Sequence, residues 1–326
     1  MVRKFKYFVI LAFFGSCATK PPASTVTAEK PKNTMVYSTK DQAPAANQVP
    51  LSPVPPEAAP PAPLVVVPPL LQPVPPPAPV EAAPSAATFK GVPRIGIIFS
   101  AGGAKAWGHI GVLKQIEKAK WPVTAVGGLE WGSVVAGVYA HQLSSNETEW
   151  ELSKVRDLDD PEKAAETIFG NRSVSDLKVP FVCSSLNVSK QEIYLLNRGQ
   201  LGKLIPFCVA SSSLTKPYKQ SVGVLDDFSA LAQHLRATGA KKIILINVLA
   251  QSAKRSLAGD VQSPENILWV QAAARADKKP AGIDDVIQID LGDYSIKDLD
   301  RYRDIVAKAA ELSYDQILKL TKKYGL

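Results

Sequence analysis

The chain has 326 residues, of which 46% are hydrophobic and 21% are charged, and its formal net charge is +8. Residues 1–90 carry 8 basic and 4 acidic groups, so the rest of the chain carries 30 and 26 and is only mildly basic. An excess this small argues against a nucleic-acid-binding protein. The chain has 3 cysteines, none at a metal-ligand spacing, and we expect neither a metal nor a cofactor.

Residues 1–16 have the pattern of a lipoprotein signal peptide. Basic side chains come first, residues 7–14 are apolar, and Gly15 and Ser16 precede Cys17. The apolar stretch is too short to span a bilayer as a helix, so we expect cleavage before Cys17 and lipidation of that residue. An ordinary secretory signal with an incidental cysteine is the alternative.

Residues 17–91 form a predicted tether. Residues 20–89 hold 19 of the 27 prolines and show no helical or strand period. Such a tract is a semi-rigid spacer at about 3.1 Å per residue, so it could reach on the order of 200 Å. We favour a solvated, disordered tether over a proline-motif ligand. Ala18 after the cysteine resembles the sorting pattern of Gram-negative outer-membrane lipoproteins, which predicts a location in the bacterial cell envelope, facing the periplasm.

Residues 92–326 suffice for one α/β domain and begin with two strand-turn-helix units. Residues 95–99 are apolar, the next five are small, and apolar residues then recur at helical spacing. A second apolar run leads into Gly128, Glu130 and Gly132 before another helical pattern. Glycines on both sides of one residue let the backbone turn sharply and present the middle side chain at a helix N-terminus, as in a nucleophile elbow. The middle residue of such an elbow is serine, and here it is Glu130.

This pair of motifs resembles the patatin-like phospholipase family, especially its bacterial branch related to neuropathy target esterase. In that family a glycine-rich turn with a nearby basic residue, matched here by Gly102, Gly103 and Lys105, forms the oxyanion hole. In the family the elbow follows the glycine-rich turn at a characteristic spacing along the chain. Gly128 and Gly132 lie at that spacing from Gly102 and Gly103. The resemblance implies a three-layer α/β/α fold with a mostly parallel central sheet. An unrelated βαβ unit with a phosphate-binding loop is the alternative.

The family's catalytic aspartate has no clear counterpart in this chain. It normally heads a D-G-G or D-G-A motif ahead of a Gly-Ala pair that opens a strand, and Gly239 and Ala240 match that pair. Counting back by the family spacing leads to Gly223. Asp226 and Asp227 follow it without the glycines and are weak candidates.

Further stretches complete the predicted domain. Residues 150–167 are charged and predict a helical insertion at its mouth, and residues 179–186 predict a strand with residues 191–196 as its hairpin partner. Cys183 is expected to be a buried small hydrophobe, and a disulfide to Cys208 is left open.

The family resemblance implies a helix that begins near Gly202 and is followed by a small-residue turn, which residues 210–213 match. Its serines lie on a turn rather than an elbow, so we do not expect them to be nucleophiles. Residues 284–290 predict a final strand, followed by an amphipathic helix.

In the family a serine attacks an ester carbonyl, an aspartate activates it, and backbone amides hold the oxyanion. This chain keeps the turn and the elbow but lacks both reactive groups. We therefore expect a membrane-anchored pseudo-hydrolase that binds an acyl lipid or an envelope protein partner. The alternatives are an active lipid acyl hydrolase that uses Glu130, which a helix N-terminus would make a weaker base, and a purely structural envelope protein.

Glu130 and Lys105 are expected to form an ion pair, because each charge would otherwise be desolvated and unpaired. The alternative places Lys105 in solvent.

Overall fold

The computed structural model describes residues 93–211, 214–250 and 264–326. The predicted signal peptide, Cys17 and the tether lie outside the described residues. Within the described ranges, no helix is long and apolar enough to cross a membrane.

The described strands form one sheet in the order β4-β3-β2-β1-β6-β7, and β5 pairs with β3. Their bounds are β1 (Ile95–Phe99), β2 (Val123–Gly128), β3 (Phe181–Asn187), β4 (Glu192–Leu196), β5 (Ser221–Gly223), β6 (Lys242–Asn247) and β7 (Asp285–Gln288). Pairing is parallel from β3 through to β7, and antiparallel only where β4 and β5 join β3. The predicted hairpin of β3 and β4 is confirmed.

The helices connect these strands and follow the expected order. Their bounds are α1 (Gly108–Lys118), α2 (Trp131–Gln142), α3 (Ser145–Leu152), α4 (Pro161–Phe169), α5 (Leu201–Val209), α6 (Phe228–Ala237), α7 (Pro264–Asp277) and α8 (Tyr302–Tyr324). The helical insertion predicted for residues 150–167 consists of the end of α3 and most of α4, with a break between them. Asp160 caps the backbone N–H of Lys163, and Pro161 occupies the first turn, so a second helix begins there.

Two apolar clusters lie on opposite faces of the sheet. Ile97 and Phe99 of β1 pack with α1, α2, α4, α5 and α8. Ile98, between them, packs with α6 and α7 on the other face. Strand side chains alternate between faces, so one strand contributes to both cores. The predicted three-layer α/β/α fold with a mostly parallel sheet is confirmed.

A disulfide joins Cys183 of β3 to Cys208 of α5, with 6.2 Å between their Cα atoms. Both side chains are buried. Cys183 also pairs in register with Gly128 at the end of β2. The disulfide therefore ties α5 to the strand beside the elbow.

Candidate functional site

The two motif turns meet at the carboxyl ends of β1 and β2. Phe99 and Gly128 are register partners at the ends of these parallel strands. The backbone N–H of Leu129 donates to the carbonyl oxygen of Phe99 at 3.0 Å. The glycine turn after β1 and the elbow after β2 therefore face each other, in the region where open α/β sheets place their sites.

Glu130 stands at the apex of the elbow with φ 50° and ψ −131°. A non-glycine residue at positive φ is strained, so neighbouring packing must hold it. A Cβ added at Gly128 would lie 2.4 Å from the Cα of Ser133, and one at Gly132 would lie 2.4 Å from the carbonyl oxygen of Ser100. Both flanking positions therefore require glycine for steric reasons.

The backbone of the glycine turn donates to the side chain of the elbow. The N–H groups of Gly102 and Gly103 donate to Oε2 of Glu130 at 3.1 and 2.9 Å. Gly103 has φ +54°, and a Cβ there would lie 2.4 Å from the carbonyl oxygen of Ile296. These are the two amides that the family resemblance assigns to the oxyanion hole. In this chain a carboxylate of the same protein occupies them.

The other carboxylate oxygen of Glu130 accepts from Ser211, whose Oγ lies 3.1 Å from Oε1. Ser211 directly follows Ala210, the C-cap of α5. The sequence analysis missed this contact, because the two residues are 81 positions apart and no local pattern links them. Ser133 does not contact the carboxylate, since its Oγ donates to the backbone carbonyl of Glu130 at 2.5 Å.

Burial raises the pKa of Glu130 from 4.5 to about 7. Hydrogen bonds from Gly103, Gly102, Trp131 and Ser211 act in the opposite direction, because they stabilise the anion. The side chain is 0% exposed, and desolvation outweighs these donors. The helix N-terminus acts as expected, since the N–H of Trp131 lowers the pKa, but burial has the larger effect and the net pKa is raised.

Lys105 is only 1% exposed, and among the described residues no ion pair joins it to Glu130. Burial lowers its pKa to about 8, while Asp290 and Asp298 act to raise it. The predicted ion pair is therefore wrong, and so is the alternative of a solvent-exposed lysine. Neutral backbone amides satisfy the carboxylate, and the carboxylates that act on the lysine lie after β7.

Gly223, at the expected aspartate position, lies in β5 opposite Ser185 of β3. A Cβ at this position would lie 2.0 Å from the carbonyl oxygen of Cys208. The backbone N–H of Gly223 donates to the carbonyl oxygen of Ala210, which keeps the strand close to the end of α5. No side chain fits here without a shift of the backbone.

The weak aspartate candidates contribute nothing to the elbow. Asp226 forms an ion pair with Arg275. Asp227 precedes α6, and burial raises its pKa. Neither is among the hydrogen-bond partners of Glu130.

His109 supports the end of β1 from α1. Its Nε2 lies 2.9 Å from the carbonyl oxygen of Ser100, which can only accept, so this nitrogen carries the proton. Its ring packs edge-on against Phe99 with centroids 5.1 Å apart. Burial lowers its pKa to about 4, so the imidazole is neutral at pH 7.

A cavity of about 450 Å³ opens beside the glycine turn. Apolar and charged side chains both line it, namely Arg156, Asp157, Leu158, Asp159, Leu214, Lys297, Leu299 and Asp300. Leu214 and Ile296 are the nearest side chains to a Cβ built on Gly103, which places the cavity at the mouth of the site. Within the described ranges, no cluster of three or more His, Cys, Asp or Glu side chains could hold a metal ion.

A strand-turn-helix elbow facing a glycine turn, on a mostly parallel three-layer sheet, defines a protein with the site architecture of a serine acyl hydrolase. No family model matches the chain. The curated relatives include patatin-like phospholipase domain-containing protein 6 of mouse and of human, each 27% identical over 212 residues. The match covers 56% of this chain and 16% and 15% of those proteins. The sequence similarity to these proteins, together with the three-layer fold, supports a patatin-like phospholipase family member with a lipid hydrolase fold.

Lysophospholipase NTE1 of Cryptococcus neoformans is 25% identical over 182 residues, covering 48% of this chain and 11% of that protein. The chain thus spans about one sixth or less of the length of these relatives. Among solved structures, VipD of Legionella pneumophila has a TM-score of 0.45 at 12% identity and covers 71% of this chain and 67% of that chain. The type III effector ExoU has a TM-score of 0.40 at 10% identity, covering 70% and 53%. At these scores neither structure informs the site.

Proposed function

We propose that this protein is a lipid-anchored pseudo-hydrolase of the bacterial envelope that binds an acyl lipid, or a protein partner, without cleaving it. The observation that carries the proposal is the occupation of the oxyanion amides. Both N–H groups of Gly102 and Gly103 are bonded to Glu130 of the same chain. An ester carbonyl therefore has no free donors at the place where the oxyanion would form.

Displacing Glu130 from these amides would be costly. The carboxylate is 0% exposed, so a substrate that took its donors would leave a buried charge with fewer partners. The elbow also lacks a serine, and loss of the nucleophile alone removes nearly all turnover in enzymes of this type.

The missing aspartate supports the same conclusion. Gly223 packs closely against the carbonyl oxygen of Cys208, so the backbone leaves no room for an aspartate side chain at this position. Two independent groups needed for acyl transfer are absent, and restoring one would not restore catalysis.

The cavity beside the glycine turn supports a lipid ligand. Leu158, Leu214 and Leu299 offer apolar surface for an acyl chain, and Arg156 and Lys297 offer cations for an anionic or zwitterionic headgroup. Native mass spectrometry of the purified protein should recover a bound lipid. Leu299→Asp should abolish its recovery, whereas Leu268→Asp on α7 is the matched control and should not.

Hydrolysis is tested with short-chain nitrophenyl esters and a fluorophosphonate probe on the wild type, Glu130→Gln and Glu130→Ser. We expect no turnover above background and no covalent labelling for the wild type and for Glu130→Gln. Glu130→Ser frees the oxyanion amides but still lacks an activating aspartate, so it should also remain inactive. Wild-type turnover that Glu130→Gln abolishes would overturn the proposal.

A second candidate function is an active hydrolase that uses Glu130 as a general base. The pKa of about 7 favours it, because a base is most effective when its pKa lies near the working pH. In that case the wild type should hydrolyse esters with a rate that rises through pH 7. A flat pH profile at background level excludes it.

Anchoring through Cys17 is the remaining part of the proposal. The disulfide of Cys183 and Cys208 supports an oxidising compartment such as the periplasm. Cys17→Ser should move the protein from the membrane fraction to the soluble fraction, and Ser24→Ala should leave it in the membrane. Continued membrane association of Cys17→Ser would contradict lipidation.

A further inference from the structure

A groove of about 220 Å³ lies between α1 and α8. Its lining is mostly apolar and includes Lys118, Ala119, Tyr314, Ile317, Leu318 and Thr321. Tyr314 is 58% exposed and Leu318, about one helical turn further along α8, is 44% exposed. An aromatic ring and a leucine that are both open to solvent beside a groove are typical of a binding surface.

Contacts between the two helices fix the walls of the groove. A Cβ added at Gly111 of α1 would lie 2.2 Å from a backbone carbonyl oxygen of α8, so the helix backbones pack closely there. Nε2 of Gln115 donates to the carbonyl oxygen of Ala310 at 3.1 Å. At the other end, Nε1 of Trp121 donates to Oγ1 of Thr321 at 2.8 Å. The groove is therefore preformed, which lowers the cost of binding a partner.

Lysines surround this apolar surface. Residues 118–123 and 316–324 together hold five lysines and no acidic residue. Four of these lysines are exposed, namely Lys118, Lys120, Lys319 and Lys322. The fifth, Lys323, forms an ion pair with Asp285 at the start of β7. The cations that remain are concentrated at the ends of α1 and α8.

The acidic residues just before these two ranges do not cancel the charge. Glu117 accepts hydrogen bonds from the backbone and the hydroxyl of Ser145, at the start of α3. Asp315 is exposed beside the groove. Even when both carboxylates are counted in full, the four exposed lysines leave a net positive charge, which attracts anionic partners.

The combination of cations and apolar side chains indicates the kind of partner. Lysines near a helix C-terminus stabilise the helix dipole, but the dipole explains neither Lys120, which follows the end of α1, nor the exposure of Tyr314 and Leu318. A nucleic-acid backbone would match the lysines but not the exposed leucine. At an anionic membrane, lysines lie among the headgroups while aromatic and aliphatic side chains enter the boundary with the acyl chains.

We propose that the α1/α8 face, defined by Tyr314, Leu318 and the four exposed lysines, binds the surface of a bilayer that contains anionic phospholipid. This face lies towards the amino ends of the strands, since Trp121 precedes β2 and contacts Thr321. The elbow lies at the carboxyl ends, and the 11 residues of α1 span about 16 Å between the two. Binding through this face therefore keeps the mouth of the elbow site away from the bilayer. The inference does not depend on whether the elbow site binds a lipid or hydrolyses one.

Co-sedimentation with vesicles tests the proposal. The protein is the form that the predicted cleavage leaves, residues 17–326, with Cys17→Ser so that no lipid anchor contributes. Vesicles of equal parts phosphatidylcholine and phosphatidylglycerol are compared with vesicles of phosphatidylcholine alone. We expect sedimentation with the anionic vesicles, weakened by added salt, and none above background with the neutral ones.

Two variants locate the binding surface. Lys118→Gln/Lys322→Gln should weaken binding to the anionic vesicles by about thirtyfold, because two lysines near an anionic surface are lost. Leu318→Asp should weaken it by about tenfold, because the apolar side chain that enters the bilayer boundary is replaced by an anion.

The controls carry the same changes on other elements. Lys190→Gln/Lys203→Gln removes the same charge from the β3–β4 turn and from α5, at two exposed lysines. Leu268→Asp on α7 matches the leucine variant, since Leu268 is 45% exposed. Both controls should bind the anionic vesicles as the parent chain does.

Three results would overturn the proposal. The parent chain would not sediment with the anionic vesicles, or the two double variants would lose binding equally, which would assign the attraction to net charge rather than to this face. In the third, light scattering without vesicles would show a dimer that Leu318→Asp converts to a monomer, which would mean that a second copy of the chain covers the groove.

Discussion

The two halves of the site have changed in different ways. The half formed by the turns after β1 and β2 has the glycines that the family resemblance predicts, with Glu130 at the position where that resemblance predicts serine. The half formed by β5 and the end of α5 has Gly223 at the position where the resemblance predicts aspartate, and it holds Ser211 and a nearby disulfide. Backbone packing constrains the first half, because its glycines lie against other backbone atoms.

In the first half, hydrogen bonds stabilise Glu130 against the costs of its strained backbone and its burial. Glu130 at φ 50° costs on the order of 1–3 kcal/mol in backbone strain. Its carboxylate also sits in a dry environment. Donors from both halves of the site, Gly102 and Gly103 on one side and Ser211 on the other, offset part of these costs. Glu130 thereby forms a structural contact between the two halves.

The largest expected effect comes from adding a methyl group to the elbow. Gly132→Ala would bring a Cβ to 2.4 Å from a backbone carbonyl, and we expect the free energy of unfolding to fall by at least about 4 kcal/mol. Gly325→Ala has positive φ but no atom within 4 Å, so it should cost only about 1 kcal/mol. Urea denaturation measures both. Equal losses would mean that the elbow backbone adapts freely.

Removing the disulfide tests the second half. The double variant Cys183→Ala/Cys208→Ala opens a loop closed across 25 residues, and it should lower the free energy of unfolding by about 3 kcal/mol. Cys17→Ser, outside the domain, is the control and should leave stability unchanged. If the double variant lost less than about 1 kcal/mol, the second half would be held by packing alone.

The pH dependence of stability distinguishes the contribution of Glu130 from that of His109. The folded pKa of Glu130 is raised to about 7, so its contribution is greatest below pH 4.5 and is lost as pH rises through 7. The pKa of His109 is lowered to about 4, so its contribution is present above pH 6.5 and is lost as pH falls through 4. Between pH 4.5 and 6.5, Glu130 makes the free energy of unfolding fall with rising pH, whereas His109 makes it rise.

Glu130→Gln keeps an acceptor for the amides and removes the titration. Relative to this variant, the wild type should gain up to about 3 kcal/mol in unfolding free energy between pH 7 and pH 4.5. Relative to His109→Gln, the wild type should instead lose unfolding free energy as the pH falls from 6.5 to 4. A difference between wild type and Glu130→Gln that does not vary with pH would show that Glu130 titrates normally.

Much of the fold could be predicted from sequence because its signals are local. The apolar runs before Gly102 and Gly128 mark the strands, and the glycines mark turns where a Cβ would contact neighbouring atoms too closely. The partner Ser211 and the disulfide could not be predicted, since such contacts depend on how distant segments pack. The Lys105 ion pair was wrong for a related reason, because an argument from charge alone overlooked the backbone amides that satisfy Glu130.

The smallest effect concerns the contact that joins the two halves. Ser211→Ala removes the hydroxyl that donates to Oε1 of Glu130, while the amide donors to Oε2 remain. A hydrogen bond to a charged acceptor contributes about 2 kcal/mol, so the loss of unfolding free energy should approach that value at pH 8, where Glu130 is ionised. The pKa of Glu130 should rise further, and the pH at which stability levels off should move upward with it.

Ser185→Ala is the matched control, because its hydroxyl donates at 2.7 Å to the neutral carbonyl of Phe207, on the same helix α5. Its cost should be about 1 kcal/mol and should not vary with pH. If Ser211→Ala shows the same flat profile, Ser211 does not stabilise the carboxylate, and the two halves of the site are coupled only through packing.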